Sequence, residues 1–347
     1  MPFRLSGHKI DKLDRIIRSS SAAAIVVHTH PDGDALGSGI ALRHWLEENR
    51  SVKARLIIPD TLPRTLDFLL EGEPYTDAGN DPEGAAGALR ECDLLFVLDM
   101  NAFGRAEALQ GALENCPAHE KVLIDHHLNP DEGAFTLVFS RTEISSTSEL
   151  LYWILRKLEG GYKGLPQKSL QALMTGMTTD TNNFGNSVYP STLRMASELL
   201  EAGVDRDYVL SRLYQDYSET RIRAFAALLG EGLTIHPGGV ACIVATREFQ
   251  EKYPLRQGET EGLVNIPLGI GAVNLSLFLK QEKDHFRVSI RSKRGWSAND
   301  MARRYFNGGG HEQAAGGKLF FPGDIDSPEH VYGYLATTAA RFMQKDK

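Results

Sequence analysis

The chain reads as an α/β protein. An N-terminal domain is built on a parallel sheet flanked by helices, a helical connector follows, and a smaller C-terminal α/β domain closes the chain. Three observations predict this. Short apolar runs at Ala22–Val27, Leu94–Leu98 and Val122–Ile124 have the continuous texture of buried parallel strands. Helical stretches at Leu36–Glu48, Glu83–Arg90 and Ala106–Asn115 alternate with them. After Gly230 the texture changes to strands at Val240–Ala245, Ala272–Lys280 and His285–Ser292, then a helix near Ala298–Phe306.

Each of the three N-terminal runs leads into a polar cluster. The first ends in His28-Thr29-His30-Pro31-Asp32-Gly33-Asp34, the second in Asp99, the third in Asp125-His126-His127. A helix at Ser148–Leu158 follows, with Ser145, Ser146 and Thr147 as candidate caps. Another, around Leu170–Met177, delivers Asp180. Residues 191–230 read as consecutive helices broken at Gly203 and near Gln215–Ser218. The expected division is 1–190, a connector at 191–230, and 231–347.

The 347 residues carry a net charge of −7, distributed unevenly. Residues 1–190 hold 18 basic and 26 acidic side chains, whereas 191–347 hold 20 and 19. A net acidic chain argues against wrapping long nucleic acid, which needs a broad basic surface. It leaves room for a small anion pocket. Cys92, Cys116 and Cys242 are odd in number and lack C-x-x-C spacing, so they read as reduced structural thiols. The opening stretch MPFRLSGHKI has no apolar run of the leader type, and no run approaches the ~20 residues that span a bilayer. The expectation is a soluble cytoplasmic protein.

Ligands of open α/β sheets bind at the carboxyl ends of the strands, where all three clusters fall. His28, Asp32 and Asp34 sit on one tight turn, and Asp99, His126 and Asp180 add two carboxylates and an imidazole. Four carboxylates in one cleft repel each other, and divalent cations remove the problem. This donor set suits Mn²⁺, Mg²⁺ or Co²⁺ better than a thiolate zinc site. It is large enough for two ions, as used in phosphoryl transfer. Taken singly, each cluster also has a plain reading: an Asp helix cap, a strand-end carboxylate, a surface His pair. His30, His44 and His119 read as surface or supporting residues. Only the shared edge raises the functional reading above these.

In the second half, residues 280–304 carry eight basic and three acidic side chains, ahead of Asn307-Gly308-Gly309-Gly310-His311. Consecutive glycines permit close backbone approach, and their N–H groups are expected to form an anion nest. Arg291 and Ser292 are candidates to hold a phosphate. The plain alternative is a flexible turn beside a solvated basic face.

The ordered motifs HTHPDGDALGS, VLDM, IDHH, TTDTNNF and GGGHEQAAGG resemble the DHH/DHHA1 phosphoesterase superfamily. The length and compact arrangement look most like its NrnA-like oligoribonucleases and pAp phosphatases, with RecJ exonucleases and cyclic-di-AMP phosphodiesterases as relatives. The resemblance implies a metal-dependent phosphoesterase that uses two divalent cations, Mn²⁺ first among them, to activate water. His28, Asp32 and Asp99 would hold one ion. Asp34, Asp99, His126 and Asp180 would hold the other, with Asp99 shared. His127 would face the scissile phosphate, and Asp125 would orient the neighbouring histidine from behind. Arg291, Ser292, Gly309, Gly310 and His311 would grip the substrate's terminal phosphate or nucleotide. Short RNA oligomers and 3′-phosphoadenosine 5′-phosphate (pAp) are the implied substrates. Linear or cyclic dinucleotides such as pApA and cyclic-di-AMP are the alternative. Pyrophosphate or polyphosphate hydrolysis and a non-catalytic nucleotide-binding module are further alternatives. No long nucleic acid or membrane is expected as a partner, and the family suggests a homodimer.

Overall fold

The computed structural model describes residues 5–60, 66–256 and 258–345. The chain divides into two compact units after Asp216.

The first unit runs α1 (Gly7–Ser19), β1 (Ala22–Val26), α2 (Gly33–Arg50), β2 (Lys53–Ile58), α3 (Asp67–Leu70), β3 (Thr76–Asp77), α4 (Pro82–Glu91) and β4 (Leu94–Leu98). It continues with α5 (Gln110–Glu114), β5 (Glu120–Asp125), β6 (Leu137–Ser140), α6 (Thr147–Leu158), α7 (Gln167–Asp180), α8 (Pro190–Glu201) and α9 (Arg206–Tyr214). Its six strands are all parallel, in the order β3-β2-β1-β4-β5-β6. Alternate residues serve two cores. Ala23, Ile25, Leu94, Phe96, Leu98, Val122 and Ile124 face α1, α2, α6 and α7. Ala24, Val26, Leu95, Val97 and Leu123 face α4 and α5. Burial on both faces explains why these strands are apolar throughout rather than alternating.

The strand order reverses between β1 and β4. Loops leaving those two strands diverge to opposite sides, opening a crevice at the carboxyl edge. Helix α2 starts there and is buried on every side along Gly33–Leu46, between the sheet and helices α6 and α7. Its crossing with α7 is close. A Cβ on Gly37 would stand 2.5 Å from the Ala172 carbonyl oxygen. Gly37→Ala should therefore destabilise the first unit by about 1–3 kcal/mol, because backbone cannot yield as a side chain can. Urea unfolding measures this, and an unchanged midpoint would contradict the packing argument.

Two expectations change here. The stretch Ala106–Asn115 is not one α-helix. A 3₁₀ segment spans Phe103–Leu109, with Glu107 at φ 41°, before the single turn of α5. The backbone breaks at Glu107, so Phe103 and Ala106 are buried from one 3₁₀ turn and Leu109 from the next. The 191–230 stretch is also divided between the units. Helices α8 and α9 pack against α7, whereas the next helix packs against strands of the second unit.

The three cysteines are free and buried, with Cys92 and Cys116 in sulfur contact at 3.7 Å. His119 is exposed, and His30 is an exposed partner of Asp60. His44 is buried and joins Arg43 and Lys168 around Glu73. Burial would raise the Glu73 pKa, but Lys168, His44 and Arg43 together hold it below the usual value.

The second unit contains α10 (Glu219–Gly230), β7 (Leu233–His236), β8 (Val240–Ala245), α11 (Arg247–Lys252), β9 (Leu275–Gln281), β10 (His285–Ser292), α12 (Ala298–Tyr305), β11 (Gly309–Gly310), β12 (Ala314–Phe320) and α13 (Val331–Lys345). Its mixed sheet has the order β11-β12-β10-β9-β8-β7, with β8 and β9 parallel and the other pairs antiparallel. β9 begins at Leu275, not Ala272. Inward residues of β8, β9 and β10 pack against α12 and α13. No described helix is long and apolar enough to cross a membrane.

Candidate metal centre

The crevice gathers all six residues expected as ligands. On the turn after β1, Asp32 caps α2 by accepting from the Asp34 and Ala35 N–H groups, at 2.9 and 3.1 Å. The plain reading of this motif as an Asp helix cap is thus right, and the cap is what aims the turn. His28 follows directly from β1. Its Nδ1 lies 2.9 Å from the Thr29 carbonyl oxygen, so Nδ1 carries the proton and Nε2 is left as a donor atom for a cation. That Nε2 lies 3.5 Å from Asp99 Oδ2 and 3.9 Å from Asp32 Oδ1.

Asp99 stands at the end of β4 with φ 57°, a left-handed conformation that aspartate tolerates at a cost of order 1 kcal/mol. Its two oxygens serve opposite sides. Oδ2 faces His28, while Oδ1 lies 3.5 Å from His126 Nε2. His126 Nε2 also lies 3.1 Å from Asp180 Oδ2 and 3.9 Å from Asp34 Oδ2. Ligand atoms of His28, Asp32 and Asp99 lie within 4.8 Å of one another, and so do those of Asp34, Asp99 and His126. Asp99 belongs to both groups.

The electrostatics fit missing positive charge. Asp34 and Asp99 are fully buried, and His28 and His126 nearly so. Burial, then Asp99 and Asp180, push the Asp34 pKa well above its usual value. Burial raises Asp180 to about 6 despite His126 beside it. Burial would lower His126, but Asp180, Asp99 and Asp34 overcome it and lift it to about 10. His28 is raised by Asp99 and Asp32 against its own burial. Asp99 resists burial and is held well below the carboxylate range by His28, His127 and His126. Protons on imidazoles and carboxyls thus supply the charge that a hard divalent cation would supply better. The oxygen-rich, thiol-free set fits such ions.

Sequence reasoning missed what holds the carboxylates. The N-terminus of α6 points at them. Thr147 N–H donates to Asp34 Oδ2 at 2.6 Å, and Ser148 N–H to Asp34 Oδ1 at 2.8 Å. The Thr147 hydroxyl donates to Asp99 Oδ1 at 2.9 Å. Unpaired N–H groups and the helix dipole both favour a carboxylate here. Ser146 is the cap, accepting from Glu149 N–H. The buried Glu149 carboxylate in turn accepts from Ser145, Trp153 and Thr192. The signal was present as a run of cap residues, but nothing local showed what the helix end faces.

His127 is oriented from two sides. Its Nδ1 lies 2.7 Å from Asp125 Oδ1, and its Nε2 lies 2.7 Å from Arg105 Nη1. The histidine that Asp125 holds in this way is His127. Burial, with Arg105 nearby, keeps the His127 pKa below its usual value despite Asp125. Arg105 was not singled out in the sequence, because an arginine on a 3₁₀ segment has no motif of its own.

In the second unit the expected clamp is partly corrected. Ser292 is buried, and its hydroxyl donates to the Trp296 carbonyl oxygen at 2.6 Å, closing the turn after β10. The glycines do not present an open nest. Gly308 N–H donates to Ala302, Gly310 N–H to Asn299 Oδ1, and His311 N–H to Ala314. Their role is close approach. A Cβ on Gly308 would lie 1.9 Å from the Gly316 oxygen, and Gly310 adopts φ 150° against Ala314 and Ala315. Gly309 pairs with Gly316 in the same ribbon. Arg291 pairs across the ladder with Ala314, the residue that also receives the His311 N–H. Arg291 and His311 are therefore brought to the same end of the sheet, on either side of β12.

Comparison with known proteins agrees with this geometry. Residues 23–177 match the DHH family N-terminal domain, and residues 241–327 match the DHHA1 domain. The chain is 29% identical to a probable bifunctional oligoribonuclease and PAP phosphatase NrnA of Streptococcus mutans, over 90% of this chain and 93% of that one. It is 30% identical to the bifunctional oligoribonuclease and PAP phosphatase NrnA of Thermus thermophilus, over 85% and 83%. A crystal structure of an exopolyphosphatase-related protein from Bacteroides fragilis superposes with a TM-score of 0.91 at 30% identity, covering 100% of this chain and 99% of that one. With both domain models matched in order and relatives aligned over nearly their whole length, this chain belongs to the DHH/DHHA1 family.

Proposed function

We propose that the protein is a cation-dependent phosphoesterase that hydrolyses short oligoribonucleotides to mononucleotides and pAp to AMP and phosphate. The observation that carries this reading is Asp99, whose two carboxylate oxygens face two separate sets of His and Asp donors. The near-full-length NrnA relatives support the substrate class.

His28, Asp32 and Asp99 would hold one divalent cation, and Asp34, Asp99, His126 and Asp180 a second. When bound, two such ions lower the pKa of water and offset charge on phosphoryl oxygens; Mn²⁺ is the proposed pair. The chain's own residues do the rest. The α6 N-terminus holds the Asp34 carboxylate in place through two N–H donors. Asp125 fixes the His127 ring through Nδ1, and the Nε2 edge, where the Arg105 guanidinium donates, would face the phosphate. Within the second unit, Arg291 and His311 are the residues proposed to hold a phosphate, on a backbone held rigid by Gly308–Gly310 and Ser292.

The test is one assay series. The protein is incubated with pAp, a 5-mer RNA, pApA, cyclic-di-AMP, a long RNA and pyrophosphate in Mn²⁺, each repeated with chelator. Release of AMP from pAp and of mononucleotides from the 5-mer, both lost with chelator, is expected. Hydrolysis of pApA or cyclic-di-AMP alone would move the assignment to a dinucleotide phosphodiesterase. Arg291→Ala should raise KM for pAp about tenfold with little change in kcat, since a charged hydrogen bond contributes roughly 1.5–3 kcal/mol. An unchanged KM would remove Arg291 from the clamp.

A further inference from the structure

An arginine stays protonated at any physiological pH, and one placed beside carboxylates ordinarily pairs with them. Arg105 lies beside the acidic cluster and forms no ion pair with any carboxylate among the described residues. Its Nη1 instead donates to His127 Nε2 at 2.7 Å and approaches the Asp99 carbonyl oxygen at 3.4 Å. Its backbone is fixed as well: the Arg105 carbonyl accepts from Thr29 N–H at 2.9 Å, tying the 3₁₀ segment to the loop after β1. The guanidinium can only donate, so His127 Nε2 accepts, and the ring proton sits on Nδ1, which donates to Asp125 Oδ1. Asp125, His127 and Arg105 thus form one directed chain of hydrogen bonds ending in a permanent cation. Both contacts of the fork use Nη1. The Nε and Nη2 donors carry no hydrogen bond to described residues, and the side chain is half-buried rather than sealed.

We propose that Arg105 is a catalytic residue that contacts the phosphate undergoing cleavage, with its Nε and Nη2 donors engaging non-bridging oxygens. This rests on the phosphoesterase reading above. The chemistry fits on two counts. A planar fork matches two oxygens of a tetrahedral phosphate. A fixed cation in a cleft lined by Asp32, Asp34, Asp99 and Asp180 offsets the repulsion a phosphate meets there, and its donors strengthen as charge grows on the phosphoryl oxygens.

The experiment separates contact with phosphate from mere support of His127. The kcat/KM for pAp is measured for wild type, Arg105→Ala and Arg105→Lys. The Kd for pAp is measured calorimetrically for Arg105→Ala on the His127→Ala background, where slow turnover permits equilibrium. Bound Mn²⁺ is counted by electron paramagnetic resonance in every variant. Arg105→Ala should lower kcat/KM by about 10–100-fold, and Arg105→Lys should restore only part of it. The pAp Kd should rise about tenfold or more even when His127 is absent, with Mn²⁺ content unchanged. A change within twofold, or a loss that disappears on the His127→Ala background, would overturn the inference and leave Arg105 a support for the imidazole. A wild type that hydrolyses no phosphate ester is a different failure, of the phosphoesterase reading itself, and this inference falls with it.

Discussion

Asp99→Asn should reduce Mn²⁺-dependent hydrolysis of pAp and of a 5-mer RNA by about 10³-fold or more while the protein stays folded. The size follows from the position of this side chain. Removing one transition-state hydrogen-bond donor commonly costs ~10²–10³ in turnover. Asp99 serves both donor sets at once, with Oδ2 toward His28 and Oδ1 toward His126. The amide keeps the shape but carries no charge, and one of its two faces becomes an N–H₂ donor directed at a neighbouring imidazole or the Thr147 hydroxyl. Folding should survive, because the cluster without cations is already short of positive charge, and removing one carboxylate relieves repulsion with Asp34. Circular dichroism and a released-phosphate assay decide the matter. Turnover within tenfold of wild type would remove Asp99 from the centre of the site.

Thr147→Val should weaken cation binding by about 10–100-fold, the usual consequence of removing a group that orients a metal ligand. Valine keeps the shape of threonine and the backbone N–H that reaches Asp34. It loses only the hydroxyl that donates to Asp99 Oδ1 at 2.9 Å. Because Thr147 is fully buried, no water replaces that donor. Thr147→Ser keeps the hydroxyl and should recover most of the affinity. Mn²⁺ titration followed by electron paramagnetic resonance reads the effect without turnover. Equal affinities for the valine variant and wild type would show that the α6 N-terminus acts through its backbone alone.

The legible parts of this protein are those where chemistry and strand ends coincide. β1, β4 and β5 were readable because burial on both sheet faces leaves an unbroken apolar run that stops where the chain turns into solvent. Five of the six His and Asp side chains stand at those stops and were readable for the same reason, whereas Asp180 ends helix α7. β2 carries Lys53 and Arg55, β6 is four residues long, and α1 is amphipathic without a motif, so none of them stood out. The glycine run was misread in its cause. Consecutive glycines permit both a nest for an anion and tight backbone packing, and only the partners Ala302, Asn299 and Gly316 show that packing is what they serve here.

Taken alone, the sequence determined the α/β class and the carboxyl edge as the place where His and Asp side chains gather, because hydrophobic period and strand ends are local properties of the chain. Only the tertiary structure decided which group holds which. The donors on Asp34 come from Thr147 and Ser148, more than a hundred residues away, and the cation on His127 comes from a 3₁₀ turn after a different strand. Hydrogen bonds of that kind are set by where helix ends and loops meet after the sheet has closed, and no spacing along the chain encodes them.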